Sequence, residues 1–283
     1  MARSIGFWIL ALVLTLAAAY YQRKTGPTYP VDGEVIVQES RVRYTLTRSH
    51  GGAGDQPVTL IDVEGTVTGE LVYKRYKTRD AWTRSPLYRS GDTLRAFLPH
   101  QPPAGKLEYF IELDDRRGTI RVPTHESVVT RFKGDVPLWA LIPHVIAMFA
   151  AMLVSTRAGI EALRPHGRPW KQALWATGLL VIGGLIFGPI VQKFAFGAYW
   201  TGFPFGTDLT DNKTLIAFLA WAIAIAALWK HHAADELSTR RWFIVGASMV
   251  TMLVYLIPHS MMGSELDYEK LDAERARQHS MPQ

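Results

Sequence analysis

Residues 136–154 read VPLWALIPHVIAMFAAMLV, nineteen positions without an Asp, Glu, Lys or Arg. About 20 apolar residues cross the hydrocarbon core of a bilayer as a helix. Helices suit that medium because they satisfy every backbone group internally. Four more stretches read the same way: residues 5–21, 173–191, 215–229 and 242–258. The last is closed by Leu256-Ile257-Pro258-His259, which repeats Leu141-Ile142-Pro143-His144 of the opening stretch. The expected architecture is a membrane α-helical protein of about five transmembrane helices.

Between the first two spans lies a long polar insert. Residues 30–135 alternate apolar with polar, or concentrate β-branched and aromatic residues, over Glu34–Gln38, Arg41–Thr47, Pro57–Val63, Leu71–Lys77, Thr93–Leu98, Lys106–Leu113, Thr119–Val122 and Ser127–Phe132. Turn chemistry separates them at Ser49-His50-Gly51-Gly52, Ser90-Gly91-Asp92, Pro102-Pro103-Ala104-Gly105 and Asp114 to Gly118. Eight short strands in about 100 residues predict an all-β sandwich. The domains expected are therefore a transmembrane anchor over 1–24, a β-sandwich over 25–135, four helices over 136–262 with an outer aromatic loop at 192–213, and a tail over 263–283. The first span has a second reading: Ala17-Ala18-Ala19 suits a signal-peptidase site. Tyr20-Tyr21 and Arg23-Lys24 suit the interfacial flank of an anchor.

Basic residues set the expected orientation. The connection 155–171 carries Arg157, Arg164, Arg168 and Lys171 against Glu161, and 230–241 carries Lys230, Arg240 and Arg241. Residues 192–213 hold only Lys193 and Lys213, and the tail opens with Glu265, Asp267 and Glu269. The basic ends then face the cytoplasm of a bacterial inner membrane. The β-domain and C-terminus face the periplasm. The net charge of +6, from 31 Lys and Arg against 25 Asp and Glu, is thus a topology signal and a solvated surface, with no nucleic-acid partner implied. No cysteine is present, which excludes disulfides and Cys-ligated metals.

The two Leu-Ile-Pro-His copies lie on helices running in opposite directions, which brings both imidazoles to one membrane depth near the outer rim. An ionisable residue within a bilayer is a candidate functional group. His144 and His259 are accordingly candidate metal ligands, with Asp208, Asp211, Glu265 and Asp267 as carboxylates behind them; a haem or a quinone-like ligand is the other cofactor class. The structural alternative has each histidine bonding a carbonyl freed by its proline. Thr210 or Asp211 is expected to cap the fourth span. His231 and His232 read as the snorkelling end of that span. No phosphate-binding loop, nucleophile elbow or His-Glu-x-x-His occurs, which leans against an enzyme. On the sandwich, Lys74, Arg75, Lys77 and Arg79 interleave with Tyr73 and Tyr76; Tyr73, Arg75 and Tyr76 are the candidate partner-docking residues.

Val72 to Tyr76, Trp82, Gly91 to Leu94, Leu98-Pro99, Pro103 to Ile111 and Asp115 to Gly118 resemble the fibronectin-III and immunoglobulin-like modules of extracytoplasmic bacterial proteins. That resemblance implies a core Trp82, a corner-anchoring Tyr109 and a role in binding partners. The aromatic Gly-rich loop between histidine-bearing spans is similar to haem-handling proteins of cytochrome c assembly, but lacks their Trp-Trp-Asp run. The Thr25 to Pro30 start, the Leu-Ile-Pro-His pair and Thr207 to Thr214 resemble a group of uncharacterised bacterial inner-membrane proteins. Two function classes follow: an accessory, scaffold or assembly subunit of an envelope complex (respiratory or photosynthetic), or a rim site for a metal, haem or quinone-like ligand.

Overall fold

A computed structural model describes residues 2–116, 118–230, 237–259, 263 and 265–280. His231 and His232 lie outside the described residues. The chain forms two compact units: Met1–Pro27 with Val136–Ser264, and Thr28–Asp135 with Glu265–Gln283.

The first unit is helical. Its elements are α1 (Ala2–Thr25), α2 (Leu138–Leu163), α3 (Trp170–Leu180), a π-helical segment (Val181–Phe187), α4 (Gly188–Phe196), α5 (Leu209–Leu228) and α6 (Leu237–Leu256). Among the described residues, four helices are long and apolar enough to cross a membrane: Ser4–Thr25, Leu138–Leu163, Trp170–Phe196 and Leu209–Leu228, with mean hydropathy of 1.8, 2.0, 2.0 and 1.4. Helix α6 packs against α2 and α5 through Ile244, Ala247 and Val254. Small residues set the helix spacing. Gly183 is one such position, where an added Cβ would lie 2.9 Å from the Ala147 methyl.

Helix α1 is built into this unit. Ala11, Thr15 and Ala18 are buried. The Phe7 and Trp8 rings stand 5.7 and 5.6 Å from the guanidinium of Arg157, which is itself buried and ion-paired to Glu161 at 2.7 Å. Near its other end Gln22 donates to the Ile257 carbonyl.

The second unit contains two sheets around one core. Its strands are β1 (Val31–Val37), β2 (Ser40–Leu46), β3 (Ser49–Gly51), β4 (Gln56–Asp62), β5 (Gly69–Arg75), β6 (Thr83–Pro86), β7 (Tyr88–Ser90), β8 (Thr93–Leu98), β9 (Lys106–Asp115), β10 (Gly118–Val122) and β11 (Val128–Lys133). One sheet has the order β1-β2-β4-β8-β7 and the other β3-β11-β9-β5-β6, with β10 beside β9. Val42, Leu60 and Leu98 of the first sheet meet Leu71, Ile111 and Phe132 of the second in a single cluster. Strand β4 alternates strictly, with Val58 and Leu60 inside and Pro57 and Ile61 outside, as expected of a sheet solvated on one face. Tyr109 is fully buried and its hydroxyl donates to the Thr47 carbonyl at 2.9 Å.

All eight expected strands are present, within three residues at their ends. Three short ones were not expected. The Ser49 to Gly51 turn signal forms an edge strand parallel to β11. Strands β6 and β7 belong to different sheets, and the chain crosses between them at Leu87. Trp82 is not a core residue: it is 41% exposed and sits edge-on to Phe110 at 5.0 Å, with the Lys74 ammonium 5.0 Å from its ring. It precedes an edge strand and lies over the outer face of its sheet.

The C-terminal segment joins this unit as well. Helix α7 (Tyr268–Ser280) and the residues before it lie against one end of the β-sheets, and Tyr268 is only 5% exposed.

Candidate functional site

Pro143 sits one turn into α2, and His144 follows it. The Nδ1–H of His144 donates to the Gly183 carbonyl at 2.8 Å. That carbonyl belongs to the π-helical segment and also accepts the Gly188 N–H, so one oxygen serves the widened turn and the imidazole together. The structure therefore pairs His144 with a backbone carbonyl, though not the Trp139 carbonyl that Pro143 frees. His259, beyond the end of α6, is exposed, and the charges of Lys213, His144 and Asp208 act on it.

Three buried ionisable groups share that end. Asp208, Asp211 and Lys213 are 6%, 5% and 3% exposed. Asp208 is the N-cap of α5 and accepts the Thr210 N–H at 2.8 Å. The expected caps were Thr210 or Asp211; the helix begins at Leu209, which makes Asp208 the capping residue. Asp211 faces the 197–208 loop instead, and its Oδ2 accepts the Thr201 N–H at 2.6 Å, the Gly202 N–H at 2.9 Å and the Gln192 amide at 3.0 Å. Gly202 is required there, because a Cβ would stand 2.6 Å from the Asp211 Cβ. Lys213 donates from Nζ to the Ile257 carbonyl at 2.7 Å, placing a cation at the C-terminal end of α6 where the helix dipole favours it.

This donor set does not fit a metal ion. His144 has committed Nδ1, which leaves Nε2 alone for coordination. The Lys213 charge acts on the His259 imidazole and would oppose a cation there. Among the described residues, no group of three or more His, Cys, Asp or Glu is arranged to hold one.

Glu265 and Asp267, expected behind the histidines, are engaged elsewhere. Glu265 is held by Lys106 at 2.5 Å and Lys77 at 2.9 Å, and Asp267 pairs with Lys270. Burial opposes the charge on Glu265, but the hydrogen bonds and charges of Lys106 and Lys77 outweigh it and hold its carboxyl below the usual range.

The candidate docking residues belong to that second cluster. The register of β5 turns Tyr73 toward the core and Lys74 outward, where Lys74 pairs with Glu108 at 3.0 Å. Arg75 closes the strand. It makes two hydrogen bonds to Asp80, at 2.6 and 3.0 Å, an ion pair with Asp272 at 2.8 Å, and lies 4.9 Å from the Tyr268 ring centre. Tyr76 lies between the Lys77 and Lys106 ammonium groups, 5.3 and 5.6 Å from its ring. The Tyr268 hydroxyl accepts the Lys106 N–H at 3.0 Å, and the Leu266 N–H reaches the Ala104 carbonyl at 3.1 Å. Arg75, Lys77 and Lys106 on this surface are engaged by the chain's own acidic segment.

No protein-family model matches the chain. No curated protein matches it either. The reading of its function rests on these two clusters.

Sequence reasoning missed Gln192, Thr201 and Lys213 at the first cluster and Gln101, Lys106 and Tyr268 at the second. Lys213 had a signal, a lone lysine beside a span on the side with few cations. The others had none, because polar side chains within loops and strands look alike until the fold pairs them. Asp211→Asn keeps the side-chain size and removes the charge that gathers three donors. The Thr201 and Gly202 amides are then expected to exchange at least tenfold faster, a loss of about 1.4 kcal/mol in local protection. Hydrogen-exchange mass spectrometry of the detergent-solubilised protein reads this directly.

Proposed function

We propose that the protein is a non-catalytic accessory or assembly subunit of a bacterial envelope complex, anchored by about five spans and docking partners through an Ig-like or fibronectin-III-like β-sandwich on the periplasmic side of the inner membrane. Helix α6 is the fifth span of this reading. The observation that carries it is the basic and aromatic end of the β-unit, where Arg75, Tyr76, Lys77 and Lys106 hold a segment bearing Glu265, Tyr268 and Asp272. Such a surface selects acidic, tyrosine-bearing chain. A partner offering the same chemistry competes with the tail for it. Aromatic and arginine side chains are also those that dominate interface energetics.

The test is recovery of partners from native membranes in a gentle detergent, with stoichiometry measured. Truncation after residue 264 removes the competitor and is expected to raise recovery of a defined membrane subunit several-fold. Arg75→Glu combined with Lys77→Glu is expected to abolish it. Equal recovery from all three proteins overturns the reading.

A second reading is favoured by the first cluster: a rim site for a quinone-like ligand. With Nδ1 donating to Gly183, the Nε2 of a neutral His144 is left to accept a hydroxyl from such a ligand. Ligand extraction from purified protein, with and without His144→Ala, tests it.

A further inference from the structure

At the other end of α5 the helical unit carries a groove of about 700 Å³ lined by Thr177, Phe218, Ala222, Ile225, Ala226, Trp229, Lys230 and Arg240. Phe218, Ala222, Ile225 and Ala226 fall on a single stripe of α5, at the i, i+4, i+7, i+8 spacing that keeps residues on one helix face, and Trp229 at its C-cap continues the line. Ala222 and Ala226 form the floor. Phe218 and Trp229 stand at the two ends, and Thr177 of α3 forms one side. The Thr177 hydroxyl is bonded to the Ala173 carbonyl of its own helix at 2.9 Å.

From Phe218 to Lys230 the stripe runs about 18 Å along the helix axis. That matches the depth of one leaflet, about half of the ~30 Å hydrocarbon core. The groove ends in charge: Lys230 and Arg240 line its mouth. Arg240 is fixed there by a hydrogen bond from Nη1 to the Ala227 carbonyl at 2.9 Å. Trp229 packs edge-on to Trp170 at 6.2 Å, a pair of the kind found at headgroup depth. Other basic residues stand among the described residues there, alongside Glu161, which pairs with Arg164. Arg164, Arg168 and Lys171 lie in and around the connection from α2 to α3, and Arg241 reaches the Arg164 carbonyl.

We propose that this groove is a binding site for an anionic phospholipid, with one acyl chain along the Phe218–Trp229 stripe and the headgroup phosphate between Lys230 and Arg240. Charge complementarity chooses the occupant. A zwitterionic lipid fills the apolar length equally well but gains less at two cations, whereas basic pockets between membrane helices suit anionic headgroups. A peptide partner would need to bring its own anion into the hydrocarbon and satisfy its backbone there, which a lipid does not.

The experiment uses the full chain, delipidated in mild detergent and titrated with phosphatidylglycerol or phosphatidylcholine of equal chain length, with adducts counted by native mass spectrometry. The expected result is retention of one phosphatidylglycerol at least fivefold over phosphatidylcholine, lost in Lys230→Gln/Arg240→Gln, with glycerol 3-phosphate failing to compete. Ala222→Leu narrows the floor and is expected to lower retention of both lipids while leaving the cations in place; the thermal midpoint of each variant without lipid confirms that it is folded. Equal retention of the two lipids, or undiminished selectivity in the charge-removed variant, overturns the proposal. Competition by glycerol 3-phosphate overturns it in favour of a free-phosphate site.

Discussion

Asp62→Ala is expected to destabilise the β-unit by about 3 kcal/mol, among the largest single-residue effects available in the chain. Asp62 is fully buried at the end of β4. Its carboxylate accepts the Ser40 hydroxyl, the Val67 N–H at 3.0 Å and the Arg89 guanidinium at 2.5 Å. Alanine strands the buried Val67 N–H and leaves Arg89 with the Val67 carbonyl alone. Because the Arg89 side chain is 30% exposed, water recovers part of its loss, which keeps the cost below that of a fully buried pair. Pulse proteolysis of the intact protein across a urea series measures the change.

The pH dependence of Asp62 has a fixed sign. Burial opposes its charge, but the bonds from Ser40, Val67 and Arg89, with the arginine's charge, outweigh this and hold the carboxyl below its usual 3.8. A carboxyl lowered in the folded state stabilises fully above its unfolded value and loses that contribution as pH falls through the folded one. Wild type should therefore lead Asp62→Asn at pH 6, and the gap should close below about pH 4. A gap that widens on acidification would show that Asp62 is not the charged acceptor described.

Tyr268→Ala is expected to detach the C-terminal segment while leaving the sheets folded. Tyr268 buries an aromatic ring, carries the Arg75 guanidinium on its face, and joins its hydroxyl to Lys106 and Gln101. A buried aromatic truncated to alanine costs about 3–5 kcal/mol in a core. A surface strap loses less, because the Glu265 pairs with Lys77 and Lys106 remain, and exposed ion pairs contribute only up to about 1 kcal/mol each. The expected readout is at least a tenfold faster cleavage within residues 265–280 by a dilute protease, with the unfolding midpoint of the β-unit changed by a few degrees at most. Tyr268→Phe keeps the ring and loses the hydroxyl, and should fall between the two. Unchanged cleavage in Tyr268→Ala would mean that the ring does not hold the strap.

The pattern of what was legible follows the range of the interactions. Strands β4 and β8 announce themselves by strict alternation, a property of neighbouring residues. Strands β3, β6 and β7 do not, since three or four polar residues at a sheet edge carry no period, and pairing with β11, β5 and β8 alone makes them strands. The Pro-His pair near one end of α2 was legible from the identical Leu-Ile-Pro-His copies. The Gly183 carbonyl as partner of His144 was not, because a π-helical turn has no sequence signature. Helix α7 was hidden for a different reason. It is mostly polar and charged, so it reads as a solvated tail, and its docking rests on pairs more than 150 residues apart, such as Lys106 with Glu265. The alternation that marks β5 as a strand also turns Tyr73 partly inward against the core.

The central claim is that the Arg75 end of the β-unit recognises acidic chain in a partner as it does in its own tail. The most direct measurement places a photo-crosslinking residue at position 79, next to that surface, in full-length and 1–264 proteins in native membranes. The account predicts a single stoichiometric crosslinked membrane subunit that increases in the truncated protein and vanishes when Arg75→Glu and Lys77→Glu are added. Crosslinks only to the protein's own tail, with none gained on truncation, would contradict it.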